Sequence, residues 1–416
     1  MSVPPTTRET PFPYFALGTL ALAIFLSVTI EMLPTGLLPD MSADLGVTES
    51  MIGLTVSVFA FTVVLTSTTL AHLTRAIDRH RLVVILLLIF VASTVLTACA
   101  PTYEVLVASR VMGGLTHGLF WAVVGAYSAY LVPPEQIGKA VAIALGGGSL
   151  AFVFGVPLGT ALGHAVGWRM AFAVLAGLIL LGTFFVWRFL PKVSQTPATA
   201  SIPTVSTSTG GIAVVSLDAS KGRHHSVLAV VFVCSITAIT MIGQYTFYTF
   251  IAPFVEREMG LGRDAVSPVL FGYGVMGALA LVLVAWYFGS RPRRGLMTGL
   301  VTILLCMVML IVWPQVTPVA VGTVLVWGLA MGMLPPLLQT RLLHAAPARI
   351  RDTASAFYTT AFNIGIGGGA FVGAWALDEF GLSSLPILYA GIIGIAILVV
   401  VVSDAVLARP SRTSTR

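Results

Sequence analysis

Glu31, Arg110 and His117 are ionisable side chains embedded in stretches of sequence that are otherwise apolar. Charge is costly in such surroundings, and ionisable groups retained there tend to face an interior path for protons, ions or polar solutes. A carboxylic acid that is partly dried out, yet has a cation near it, can exchange protons near neutral pH. Histidine titrates in that range unaided. Glu31 and His117 are therefore candidates to carry protons, with Arg110 placed to tune Glu31. The alternatives are a static Glu31–Arg110 bridge and a hydrogen-bonded core histidine. His117 lies seven residues beyond Arg110, and Trp121 four beyond His117, so the three share one helical stripe. At about 1.5 Å per residue, Glu31 and Arg110 come out at similar depth, with His117 roughly 10 Å further in.

A second set of residues could hold a solute. Gln244, Tyr245 and Tyr248 lie in one later apolar run, and Asn363, the only asparagine of the chain, in another. With Trp121 they offer amide, phenol and indole groups. These suit a neutral, partly apolar molecule, since sugars hydrogen-bond to amides and stack on aromatic rings. Aromatic packing without any ligand is the alternative for each. No catalytic set is visible: HExxH and GxSxG are absent. GIGGGA (365–370) sits inside an apolar run with no strand before it. No GxxxxGK phosphate loop is present, so ATP-driven pumping is not expected. Cys99, Cys234 and Cys306 have no metal-ligand spacing and read as small core residues. No enzyme activity, metal or bound cofactor is expected.

The elements that must position these groups follow from composition. Of 416 residues, 57% are hydrophobic and 9% charged, against about 45–50% and 25% in soluble domains. That much apolar surface cannot be hidden in a water-soluble globule. A soluble enzyme, a disordered chain and a disulfide scaffold are excluded, and a polytopic membrane protein in a lipid bilayer remains. Twelve apolar runs are readable, at 12–38, 50–73, 82–100, 104–132, 139–165, 169–190, 226–252, 265–288, 295–313, 317–343, 353–377 and 384–407. Each approaches the roughly 20 residues that one crossing needs. In lipid every backbone polar group must bond internally, so they are helices; barrel strands would alternate.

With both chain ends in the cytoplasm, 18 of the 22 basic residues fall on the cytoplasmic side, and only Arg110, Arg169, Arg257 and Arg263 lie toward the outer side. The net charge of +6 is thus a topology signal rather than a sign of nucleic-acid binding. Between the sixth and seventh runs, 191–225 is rich in Ser, Thr, Pro and Gly, a flexible linker. It divides the chain into an N-terminal six-helix bundle (1–190) and a C-terminal one (226–416). The halves echo each other at an offset of about 213–214: Pro39 meets Pro253, Asp44 meets Glu258, Gly46 meets Gly260, and GLTHG (114–118) meets GLAMG (328–332). By this repeat Tyr245 stands opposite Glu31. Repeated halves place a substrate site at their interface, near the bilayer midplane.

Several motifs carry a family resemblance. LTRAIDRHRLVV (73–84) is a degraded form of Gly-x-Leu-x-Asp-Arg-x-Gly-Arg-Arg, with Ala71 in place of the first Gly and Arg75 in place of the Asp. Arg110 opens RVMGGLTHGLFW. Run five carries GGGSLAFVFGVPLGTALG (146–163), in which Gly155, Gly159 and Gly163 recur every four residues around Pro157, and an outer GWR (167–169) follows. The chain resembles the major facilitator superfamily, in its drug:proton antiporter branch, and is most like bacterial sugar-efflux and chloramphenicol-efflux members. The resemblance implies two six-helix bundles, alternating access in the bacterial inner membrane, and export of a small neutral solute, sugars first, driven by protons as the coupling ion. A chloramphenicol-type multidrug exporter or a purine nucleoside exporter is the alternative. It further implies a functional monomer and a cytoplasmic gate loop at Arg75, Asp78, Arg79 and Arg81. Gly155, Pro157, Gly159 and Gly163 are expected to form a hinge or seal between bundles, with close helix packing as the plainer reading.

Overall fold

The computed structural model describes residues 12–133, 136–192, 219–347 and 350–407. Twelve long helices account for nearly all of them, and no strand occurs among the described residues. The first half holds α1 (Tyr14–Gly36), α2 (Glu49–Leu73), α3 (Arg79–Ala98), α4 (Tyr103–Tyr130), α5 and α6 (Trp168–Phe189). Helix α5 is built from Ile137–Leu150, a π-helical turn at Ala151–Gly155, and Val156–Val166. The second half holds α7 (Ala219–Tyr248), α8 (Val266–Leu283, continued by a π turn at Val284–Phe288), α9 (Pro292–Val312), α10 (Thr317–Ala345), α11 (Arg351–Phe380) and α12 (Ser384–Leu407). Eleven of these are long and apolar enough to cross a bilayer. The twelfth, α4, has the length, at 28 residues. Arg110 and His117 lie well inside it and hold its hydropathy down. Most of the expected linker 191–225 lies outside the described residues. At its far end, however, α7 already begins at Ala219, seven residues before the expected run; a polar stretch readily extends a helix nucleated by the apolar part.

The repeat is visible in the backbone. Gly46 and Gly260 both adopt left-handed φ, at 65° and 64°, and Gly167 and Gly381 have φ of 90° and 79°. Each pair is separated by the same 214 positions, and both pairs end helical segments where a side chain would be strained. At Gly167 the turn brings the neighbouring Trp168 and Arg169 onto one carboxylate. Trp168 Nε1 donates to Asp44 Oδ2 at 3.0 Å, and Arg169 pairs with the same oxygen while donating to the Ala100 carbonyl at 2.8 Å.

The glycine stripe of α5 lies elsewhere than expected. A Cβ on Gly155 would collide with Thr29; on Gly159 it would meet Leu33 Cδ1 at 2.7 Å, and on Gly163 Leu37 Cδ2 at 2.5 Å. All three partners belong to α1 or its end, so the stripe welds two helices of the same half and is not a seal between halves. In α11, Gly365, Gly369 and Gly373 press likewise on Met241, Ile242 and Thr246 of α7. Small residues let two backbones of one bundle approach closely, which removes them from any moving seam. The other flank of α5 forms the seam: Gly274 of α8 packs on the Phe152 main chain, and Ser267 Oγ donates to the Pro157 carbonyl at 2.8 Å. Pro157 therefore does border the second half.

The halves are latched at the end of the molecule away from the chain termini. Arg257 pairs with Glu49, and Arg263 Nη2 with Asp40 Oδ1 at 2.6 Å, each pair joining one half to the other. His164 Nε2 adds a contact to Asp40 at 3.3 Å. Deeper in, Ser57 Oγ donates to the Gly367 carbonyl at 2.8 Å. At the opposite end Asp404 pairs with Arg293 and Arg341, all within the second half. There α2 and α11 carry exposed side chains such as Leu65 and Phe357.

Candidate functional site

The site begins with a proline. Pro34 lies inside α1 and has no N–H, so the Ile30 carbonyl four residues back loses its helical donor. Arg110 supplies one: Nη1 donates to Ile30 O at 3.1 Å and Nη2 to Glu31 O at 2.8 Å. Its guanidinium carbon rests 4.5 Å from the centre of the Phe59 ring. Arg110 is fully buried, and its Nε has no partner. Thus Arg110 meets the main chain of Glu31 rather than its carboxylate, and the static Glu31–Arg110 bridge, the alternative to proton carriage, is not formed.

The Glu31 carboxylate goes to His117 instead, with Oε2 at 3.4 Å from Nε2. Helix geometry explains the exchange of partners. Side chains lean toward the N-terminus of their own helix, and α1 and α4 run antiparallel. Glu31 and Arg110 start at similar depth and lean apart, whereas Glu31 and His117 start about two turns apart and lean together. His117 is a junction. Its Nδ1 lies 3.0 Å from Ser27 Oγ, and its Nε2 accepts from Trp121 Nε1 at 2.6 Å. The Phe59 and Phe90 rings close the box, with centroids 5.2 and 6.1 Å from the imidazole. Glu31 and His117 are both buried. Ser27 was not singled out from the sequence, although it stands one turn from Glu31 on the same stripe of α1.

The second half answers with a neutral network. Gln244 Nε2 donates to Tyr273 OH at 2.8 Å, while its Oε1 accepts from Tyr389 OH at 2.8 Å and Trp327 Nε1 at 3.1 Å. All four side chains are buried. Of these only Gln244 was singled out from the sequence. The repeat could have found Tyr273, since it stands 214 positions after Phe59. Tyr248 stacks on Tyr273 with centroids 5.2 Å apart and meets Phe152 of the first half at 6.2 Å. Tyr245 is buried beside Tyr248. Asn363 stands apart: its amide donates to Thr359 O of its own helix at 2.9 Å. Of the expected gate loop, Asp78 caps α3 by accepting from the Arg81 N–H at 3.0 Å. Arg75 and Arg81 are exposed and Arg79 half-buried.

Two pseudo-symmetric helical bundles around a buried polar junction are the architecture of a membrane transporter rather than an enzyme. The chain belongs to the Major Facilitator Superfamily, whose family model matches residues 20–370 and 233–415. It is 29% identical over 372 residues to a probable sugar efflux transporter of Mannheimia succiniciproducens, covering 89% of both chains. It is 30% identical over 419 residues to a chloramphenicol efflux pump of Mycobacterium tuberculosis, covering 98% of this chain and 96% of that one. Its fold is similar to that of a bacterial homologue of the human lysosomal transporter Spinster, with TM-score 0.73, 15% identity, and coverage of 97% and 100%.

Proposed function

We propose that this chain is a proton-coupled exporter of small neutral solutes, with sugars the leading class. It would work by alternating access in the bacterial inner membrane as a single two-bundle chain, with the linker and both chain ends in the cytoplasm. The observation that carries the reading is the buried Glu31–His117 contact at 3.4 Å. Two titratable groups shielded from water and touching each other can take up and release a proton together. The neutral Gln244, Tyr245 and Tyr248 surface supports an uncharged solute, as does the relative named for sugar efflux. The relative named for chloramphenicol efflux, which this chain covers almost completely, supports chloramphenicol-like compounds as the second reading.

The purified chain in proteoliposomes, loaded with a panel of sugars, nucleosides and chloramphenicol, should move at least one of them when a pH gradient is imposed. Glu31→Gln should retain downhill exchange and lose gradient-driven accumulation by 10-fold or more, about 1.4 kcal/mol of coupling. Absence of gradient-dependent movement for every compound would overturn the exporter reading.

A further inference from the structure

His117 Nε2 has one lone pair and two neighbours that need it in opposite states. Trp121 Nε1 can only donate, so its 2.6 Å bond exists only while Nε2 carries no proton. Ionised Glu31 can only accept, so Oε2, 3.4 Å away, bonds Nε2 only once a proton is there. The two bonds exclude each other. In the arrangement seen here Nε2 accepts, so a neutral imidazole holds its proton on Nδ1 and donates to Ser27 Oγ at 3.0 Å.

We infer that Trp121 is the residue that ties the proton on His117 to the solute path. A proton arriving at Nε2 breaks the Trp121 N–H···Nε2 bond and forms Nε2–H···Oε2, and the indole is driven off the imidazole. The surroundings allow the indole to move while the imidazole stays. Phe59 and Phe90 hold the imidazole from two sides. Trp121 is only half-buried, and its neighbour on α5 is Gly148, where even an added Cβ would lie 3.9 Å from the indole. Among the described residues no other charged group pairs with His117. Arg110, on the same helix, is committed to the Ile30 and Glu31 carbonyls. Helices α2 and α3 present the apolar rings, α5 presents Gly148, and α7 contributes the buried, uncharged Tyr245 phenol. With Trp121 on the solute-binding surface, as the exporter reading has it, an indole displaced from His117 enters the solute's space, so proton and solute exclude each other, as exchange in opposite directions requires. This inference rests on the exporter reading for its role, though not for its chemistry.

The test uses the full purified chain labelled with 15N-histidine, with the His117 signals identified by their loss in His117→Gln. At high pH the unmodified chain should show the neutral Nδ1–H tautomer at His117. In Trp121→Phe, which keeps the bulk and removes the donor, the pH at which His117 takes its proton should rise by about one unit, the equivalent of one lost hydrogen bond. Glu31→Gln should move it the other way. An Nε2–H tautomer in the unmodified chain, or a protonation pH that Trp121→Phe leaves in place, overturns the inference; the tautomer measurement needs no Trp121 variant to fold. A shift in Trp121→Phe without gradient-driven transport by the unmodified chain would uphold the His117 exchange and overturn the exporter reading alone.

Discussion

The two halves of this transporter share a scaffold and fill its centre differently. Glu31 on α1 corresponds to Gln244 or Tyr245 on α7, Phe59 on α2 to Tyr273 on α8, and Gly113 on α4 to Trp327 on α10. In the second half the result is a closed set: Gln244, Tyr273, Trp327 and Tyr389 each find a partner within the network. In the first half the bonds are contested, with Nε2 of His117 shared between a donor and a carboxylate, and Nε of Arg110 left without a partner. A closed network has one good arrangement, while a contested one has two of similar energy. The difference teaches where switching can reside: in the half whose hydrogen bonds do not all fit at once.

The largest blow to this contrast should come from Arg110→Met. It leaves the Ile30 carbonyl buried without a donor, costing about 3 kcal/mol for the charged bonds lost and lowering the thermal midpoint by several degrees. Pro34→Ala in the same chain returns an N–H to Ile30 and should recover part of the loss. A double variant no more stable than Arg110→Met would refute the carbonyl account. Gln244→Leu should come next, at about 2 kcal/mol, because it takes the Gln244 partner from the buried Tyr273 and Tyr389 hydroxyls and leaves Trp327 Nε1 only its 3.2 Å bond to Tyr389 OH. Solute affinity should fall while the response to a pH gradient persists; loss of the gradient response would erase the division of labour between halves.

The smallest effect concerns the latch. Glu256, in the loop-end segment after α7, has a side-chain oxygen that is buried and unpartnered. Burial, then the neighbouring Asp40, holds its carboxyl above the usual range, with Glu49 adding to the rise and His164 and Arg257 opposing it. A group with raised proton affinity in the latched state favours that state at low pH. The latch should therefore loosen as the pH climbs through the raised value. Fluorophores on the two halves at that end should report a roughly two-fold change in the latched fraction, abolished by Glu256→Gln. An unchanged pH response in that variant would assign the effect to another group.

Much of this was legible in the sequence. The apolar runs specify twelve helices, and the repeat anticipates even a shared backbone conformation, at Gly46 and Gly260. Glu31, Arg110, His117 and Trp121 do meet. What the linear reading lacked was direction. Depth alone pairs Glu31 with Arg110, and only the opposed lean of side chains on antiparallel helices hands the carboxylate to His117. The glycine stripe failed similarly: its spacing announces close packing but not against which helix. Ser27, Trp327 and Tyr389 look like ordinary residues until the fold brings them to a polar partner, and the Asp40, Glu49, Arg257 and Arg263 latch joins helix ends and short helical turns from opposite halves.

That latch sets a timescale. Arg257 is 55% exposed and Arg263 47%, and ion pairs so open to water contribute about 0–1 kcal/mol each. Two of them prolong the closed state by about ten-fold in all, a dwell that thermal motion ends readily. Their reach is cut off over about 8 Å at physiological ionic strength. The pace at which the molecule opens there is thus partly a property of the surrounding salt water, and a more dilute medium should hold the door shut longer.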